Sequence, residues 1–385
     1  MIRLTLTMLF CGSIMLVYGQ NKSPKYTIDT TMFANNAHHW YDIKDKHNVI
    51  NPKKNQQRYT ADNLTAVAEN ILLYQKSNGG WPKNYDILAV LTPDQKDSLT
   101  ASKSNLNTTF DNGTTYTHVA CLAKIYDATK NKRYSEAATS GIEFILSAQY
   151  DNGGWPQYFP LQKDYSRHIT FNDDVFTGIM GLLKEIKDNE PQYKFLSKAL
   201  RDKVDLAYKK GIECVLNTQI NDFGEITAWC QQHDEVTLQP TWARAFEPPS
   251  ICNAESAGIV LMLMDIDHPS VQVIEAVQHA VSWFKESEIT GTRVKVVAAT
   301  PDTSQFTISK IDRIVVEDKN APPIWTRYYE LQTHRPLFCN RDRKVVYSLK
   351  EVSRERRSGY GWYTYNPQKV LDRYLAWTKK WVGVN

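Results

Sequence analysis

The chain of 385 residues is long enough for one large domain or two ordinary ones. Its 42% hydrophobic and 23% charged content is the balance of a soluble globular protein and argues against a disordered or fibrous one. A formal net charge of +4 permits a polyanionic ligand without demanding one, and no nucleic-acid partner is expected.

Residues 1–19 read as a secretory signal peptide. Arg3 supplies the positive start, Leu4 to Val17 an apolar run, and Val17-Tyr18-Gly19 a small-residue cleavage site. The run is too short and wrongly flanked to span a bilayer, so no membrane span is expected, and the protein is expected to be secreted or periplasmic. A buried N-terminal helix is the competing reading. Cys11 lacks the small residue that a lipoprotein signal wants just before its cysteine. The remaining cysteines are Cys121, Cys214, Cys230, Cys252 and Cys339. Their number is odd, their spacing wide, and no CxxC occurs, so buried thiols with at most one disulfide are expected and a cysteine zinc site is not.

Residues 20–56 form an N-terminal segment of uncertain order, and a single catalytic-sized domain is expected over 57–385. That domain opens with a repeat. Leu64, Val67, Ala68, Ile71 and Leu72 make one face of an amphipathic helix, which runs into Gln75-Lys-Ser-Asn-Gly-Gly-Trp-Pro82. Ala138, Ile142, Ile145 and Leu146 do the same before Gln149-Tyr-Asp-Asn-Gly-Gly-Trp-Pro156, where six of the eight positions are identical to the first copy. Val204, Ala207, Gly211, Ile212, Val215 and Leu216 precede a decayed third copy that keeps Gln219, Gly224 and Trp229. Val273, Val277, Ala280 and Phe284 suggest a fourth helix with no Gly-Gly-Trp after it.

A second set of helices lies between these: Val119, Leu122, Ala123 and Tyr126; Val175, Ile179, Leu182, Leu183 and Ile186; Ile259, Met262 and Leu263. Helix pairs repeated about every seventy residues predict an all-α fold, a short α/α toroid of about three pairs with irregular loops and minor β excursions. A linear solenoid is the competitor. Gly-Gly ends each helix through positive φ, Pro prevents it from resuming, the Gln amide reaches the loop backbone, and Trp packs back on the helix end. The motif is read as architecture, with a Trp at the rim as a possible stacking surface for a sugar. Gly291 to Val316 contains alternating segments, Arg293-Val-Lys-Val-Val and Gln305-Phe-Thr-Ile, that read as short strands, and a last helix runs through Val370, Tyr374, Trp377 and Trp381.

The chemistry-bearing residues fall between the repeats. Thr109-Phe-Asp-Asn112 matches Thr170-Phe-Asn-Asp173, followed by Asp174, each just before an intervening helix. Helix capping is the plain explanation for such residues. Acidic clusters at equivalent places in successive units would instead converge at one end of the toroid, where carboxylate and amide oxygens suit Ca²⁺. Arg244 sits in an irregular Pro-rich loop, Gln239-Pro-Thr-Trp-Ala-Arg-Ala-Phe-Glu-Pro-Pro-Ser250, and a further basic region includes Arg327, Arg335 and Arg341. Guanidinium grips carboxylate bidentately, so this set suits a carboxylate-bearing polymer.

Taken in order, NGGWPKNYD, TFDNGTTYTHVACLAKIYDAT, NGGWPQYFP, WCQQHD, PTWARAFEPPS and YYELQTHRPLFCNRD resemble the family 10 polysaccharide lyases, pectate lyases built on a short α/α toroid. The resemblance runs from about Tyr59 to Tyr365. It implies β-elimination on polygalacturonate with Ca²⁺. It assigns the base to Arg244, metal and substrate-carboxylate contacts to Asp111, Asp173 and Asp174, and substrate-carboxylate binding to Arg341, Arg327 and Arg335. An arginine base implies an alkaline optimum. A monomer acting on an acidic polysaccharide is expected. Three rival readings share the toroid. A triterpene cyclase also uses QxxxGxW repeats but needs a DxDD acid motif that is missing here. A glycoside hydrolase would draft Asp111 and Asp173. A non-catalytic polysaccharide-binding protein would not need Arg244.

Overall fold

A computed structural model of the chain describes residues 26–43, 48–303 and 308–383. The expected signal peptide, and most of the Gln305-Phe-Thr-Ile segment, lie outside them. The α-helices are α1 Ala34–Tyr41, α2 Leu64–Tyr74, α3 Pro93–Ala101, α4 Tyr116–Thr129, α5 Lys132–Ser147, α6 Val175–Lys187, α7 Lys198–Thr218, α8 Asn253–Met264, α9 Val271–Glu286, α10 Arg354–Gly359 and α11 Asn366–Trp381. Among the described residues, no helix is long and apolar enough to cross a membrane.

The helices form the α/α toroid that the periodicity predicts. α4 pairs with α5, α6 with α7, and α8 with α9; α4, α6 and α8 follow one another along the inner layer, and α2, α5, α7 and α9 along the outer one. Sequence decides which helix faces inward. Tyr116 to Ala123 of α4 is buried without a break, because a helix that is apolar or small all round has no face to give to water. The amphipathic α5, α7 and α9 cover the outside. Each begins with a side-chain cap, from Asn131, Ser197 and Ser270 respectively. α11 packs on α8 and α9 beyond the last pair.

The repeat motif is a joint with two hydrogen-bonded parts. The Gln75 amide donates to the carbonyl of Gly79 in its own loop and to that of Ala137 in the next outer helix, α5. Gln149 donates in the same way to Gly153 and to Ala207 of α7, and Gln219 to Thr227 and Ala276 of α9. The second part is the Trp indole. Trp81, Trp155 and Trp229 donate Nε1–H to the carbonyls of Ile71, Ile145 and Val215 at 2.8–2.9 Å. All three rings are fully buried, so none is available to stack on a ligand, and the architectural reading of the motif stands. Gly153 (φ +90°) lets the loop pass against α7, where a Cβ would lie 2.0 Å from the Lys210 carbonyl oxygen.

The fourth helix does have its Trp. Trp325 donates Nε1–H to Phe284 of α9 at 2.7 Å, although 41 residues separate the two. Most of that distance is a two-stranded antiparallel ribbon, Thr292–Thr303 with Ile308–Glu317, whose register shifts between Ala298 and Asp302. The ribbon is longer than the short strands the sequence suggested. A four-stranded antiparallel sheet of 345–346, 336–339, 328–329 and 251–252 packs beside a second apolar cluster containing Phe246, Tyr328, Phe338, Tyr360 and Trp362. The five cysteines from Cys121 onward are buried and free.

Candidate active site

The segments that follow each buried Trp all run to one end of the inner layer. The backbone N–H of Thr109 bonds the carbonyl of Trp81, that of Thr170 bonds Trp155, and that of Cys252 bonds Trp229. These bonds fix the register that the dipeptide Asn172-Asp173 leaves ambiguous. Counting from the paired threonines, Asp111 corresponds to Asn172 and Asn112 to Asp173. The backbone agrees, since Asn112 (φ +55°) and Asp173 (φ +54°) are the left-handed residues of their turns. Asn and Asp tolerate that conformation better than most residues. Helix capping does not account for these acids. α4 begins after Thr115 and α6 after Asp174, and the Asp174 side chain makes no cap hydrogen bond.

Asp111, Asn112, Asn172 and Asp173 line one cavity of about 660 Å³ together with Arg244 and Glu247. Its other walls include Lys83, Gln157, Tyr158 and Tyr165. Asp111 is buried. Lys83 Nζ lies 2.5 Å from its Oδ2, while its Oδ1 has no hydrogen-bond partner. Burial pushes the Asp111 carboxyl up, but the Lys83 ammonium outweighs it and the net shift is downward. Asp173 is exposed to the cavity. Desolvation by the protein around it, with the Asp111 charge nearby, pushes its carboxyl up to about 6. Two carboxylates thus share a site that lacks enough positive charge for both.

Arg244 is gripped by Glu247. Its Nε and its backbone N–H donate to Glu247 Oε2 at 2.8 and 2.9 Å, and its Nη2 to Oε1 at 2.5 Å. Glu247 is buried and also accepts from the Tyr360 hydroxyl at 2.7 Å. Enclosure pulls the Arg244 pKa down, but the Glu247 carboxylate more than reverses this and holds it well above the usual arginine range. The Arg244 guanidinium also stands 5.1 Å from the Phe246 ring centroid.

The remaining predicted residues are dispersed. Asp174 does not line this cavity. It lines two adjoining ones, of about 590 and 410 Å³, each of which also reaches Asp173. Arg327 lies in the smaller of these, ion-paired to Glu255 and 4.8 Å from the Tyr360 ring centroid. Arg341 pairs with Glu355 at 3.1 Å and shares the Phe246 ring with Arg244 and Arg356, so it is one ring removed from the cavity. Arg335 is not brought to the site. It stacks on Tyr347 at 3.8 Å and lines none of these three cavities. Among the described residues, the group of three metal-capable side chains lying within 4.8 Å is His168, Asp234 and Glu235. There Glu235 is already occupied by Arg167 and His168, which makes it an ion-pair cluster.

Sequence reasoning missed Lys83, Glu247 and Gln157. A signal for two of them was present. Lys83 and Gln157 each stand two residues after the repeat Trp, and Arg327 stands in the same relation to Trp325. In these three units, position two after the Trp turns a polar side chain toward the site or its neighbouring cavity, whereas Gln231, in the same place after Trp229, is buried against Tyr328.

Comparison with known proteins gives the same outline. A family model described as pectic acid lyase matches residues 75–371. No curated protein matches. Among solved structures, the chain is similar to the family 10 polysaccharide lyase from Cellvibrio cellulosa, at 29% identity and a TM-score of 0.67 over 84% of this chain and 93% of that one. It is also similar to a mutant of that enzyme in complex with trigalacturonic acid, at 28% identity and a TM-score of 0.67 over 82% of this chain and 92% of that one.

Proposed function

The chain belongs to the pectic acid lyase family and is a polysaccharide lyase, and from that premise we propose that it cleaves polygalacturonate by calcium-assisted β-elimination with Arg244 as the base. The observation that carries this reading is the convergence of Asp111, Asp173, Lys83 and Arg244 on one cavity. The solved relative bound to trigalacturonic acid supports the substrate class.

The donor set fits a hard divalent cation. Asp111 Oδ1 is buried without a partner, and the Asp173 carboxylate is held in the same cavity with too little positive charge around it. Asp111 and Asp173 would hold the ion, with Asp174 at the margin. When bound, calcium supplies positive charge that lowers the cost of charge building on the uronate carboxylate. The chain's own part is as follows. Arg244, as a neutral guanidine, takes the C5 proton of the uronate. The electron pair of the broken C5–H bond forms the C4=C5 double bond, the C4–O4 bond breaks, and O4 leaves with the C4–O4 bonding pair and takes up a proton from solvent water. Lys83 and Arg327 add positive charge around the developing enolate, and Arg341 extends the carboxylate-binding surface. A neutral Arg244 has to form against the pull of Glu247, so an alkaline optimum follows. The bidentate Glu247 contact also favours a second reading, in which Arg244 stays protonated and acts as a fixed cation.

Secretion, through residues 1–19, and action as a monomer belong to the same proposal. The test is digestion of polygalacturonate at alkaline pH, with Ca²⁺ or with chelator, followed by the ultraviolet absorbance of the unsaturated product. Calcium-dependent absorbance that is lost in Arg244→Ala is the expected result. Chain shortening without absorbance would mean hydrolysis, and binding without cleavage would mean a non-catalytic protein.

A further inference from the structure

The N-terminal helix α1 precedes the residues that match the family, yet it forms part of the site wall. Its attachment is specific. Asn36 is buried and donates Nδ2–H to the Asn112 carbonyl at 2.9 Å, while its Oδ1 accepts from the Asn84 backbone N–H at 2.8 Å. Trp40, one turn on, is buried and donates to the Ile50 carbonyl. Asn36 and Trp40 are therefore the inward stripe of α1. The neighbouring stripe, Asn35 and His39, is also one turn apart and lines the main cavity. Asn35 lines the adjoining cavity as well, which shares Asn112 and Asp173 with the first. It thus stands where the two cavities meet, and its Nδ2 donates to Asn112 Oδ1 at 2.9 Å, next to the carboxylate of Asp111.

We propose that α1 supplies a substrate subsite in which Asn35 and His39 bind one uronate ring of the polymer, beside the scissile bond on the Asn112 side. This rests on the lyase reading above. The chemistry matches a sugar acid. An exposed amide and an imidazole provide hydrogen-bonding groups for ring hydroxyls, and the cavity lining is polar elsewhere too, with Asn107, Gln157 and Gln162. α1 is a specificity-determining wall beside the reacting groups. It contributes binding that is equal in ground and transition states, and so acts on KM.

The experiment measures kcat, KM and melting temperature for wild type, Asn35→Ala and His39→Ala on trigalacturonate, pentagalacturonate and polygalacturonate. Loss of one neutral hydrogen bond corresponds to a rise of about three- to tenfold in KM, with kcat and melting temperature unchanged. Asn36→Ala shows what a structural loss looks like, because it removes the bonds to Asn112 and Asn84 and lowers the melting temperature. An unchanged KM in both Asn35→Ala and His39→Ala, with an active wild type, overturns the subsite. A parallel fall in kcat and melting temperature in both does so as well, by making α1 a strut. A wild type that acts on none of the three substrates overturns the lyase reading itself and takes the subsite with it, and that result is read before any variant is compared.

Discussion

Glu247→Gln separates the two roles open to Arg244. The substitution keeps the shape of the side chain and its bond from Tyr360, and removes one buried negative charge held 2.5–2.9 Å from the guanidinium and backbone of Arg244. Two unit charges with centres about 4 Å apart interact by about 4 kcal/mol at an effective dielectric constant near 20. Arg244 has 43% of its side chain open, so solvent screening reduces this to about 2 kcal/mol. That corresponds to a downward shift of between one and two pH units in the Arg244 pKa. If Arg244 is the base, the alkaline limb of kcat/KM moves to lower pH by that amount, even though the less firmly held side chain lowers the maximum rate. If Arg244 is a fixed cation, the profile keeps its position and only its height falls. The assay is the absorbance of the unsaturated product from polygalacturonate across pH 6 to 11, at saturating Ca²⁺. A limb that stays in place, or that moves to higher pH, refutes the base role.

Three further outcomes follow from the same geometry. Gln149→Leu removes the two hydrogen bonds that tie one loop to its own turn and to α7, and should cost about 2 kcal/mol in denaturant unfolding with little effect on KM. Burial holds His118 at about 3 and His233 at about 4, so both stay neutral in the folded chain while the unfolded chain binds protons near pH 6.5. Their contribution is present above that pH and is lost as pH falls, by about 3 kcal/mol in total between pH 6.5 and 5, which a urea series at the two pH values would read. Asp173, raised to about 6, holds its proton in mild acid and ligates only above that range, so the thermal stabilisation given by added Ca²⁺ should be large at pH 8 and lost below pH 6. Asp111→Asn should weaken it at every pH.

The helix pairs were legible because their signal is local. The 3.6-residue stripe of Val204, Ala207, Gly211 and Val215 and the Gly-Gly stop are properties of one segment. Asp111 was singled out by a motif repeated at Thr109 and Thr170, and Arg244 by its place in an irregular Pro-rich loop. What stayed hidden depends on distance in the chain. Trp325 looked unrelated to α9 because the ribbon separates it from Phe284, although the hydrogen bond is the same one made by Trp81. α1 carries too few apolar positions over eight residues to announce itself, and its role comes from Asn36 meeting Asn112, 76 positions away. Arg335 stands apart from the cavity for the opposite reason. A cluster of arginines in sequence suggests one patch, but the strand pair of 328–329 with 336–339 turns Arg327 and Arg335 to different surroundings.

The four indole bonds span 10, 10, 14 and 41 residues between carbonyl and ring. The joint therefore constrains where a connection starts and ends and leaves its length free. Closing a longer loop costs only about 0.6 kcal/mol per doubling, so a unit can accept a large graft at this point without loosening its neighbours. The scaffold and its rim can then diverge at different rates in evolution, and the ribbon between Phe284 and Trp325 marks the position at which an engineer could exchange one appended module for another.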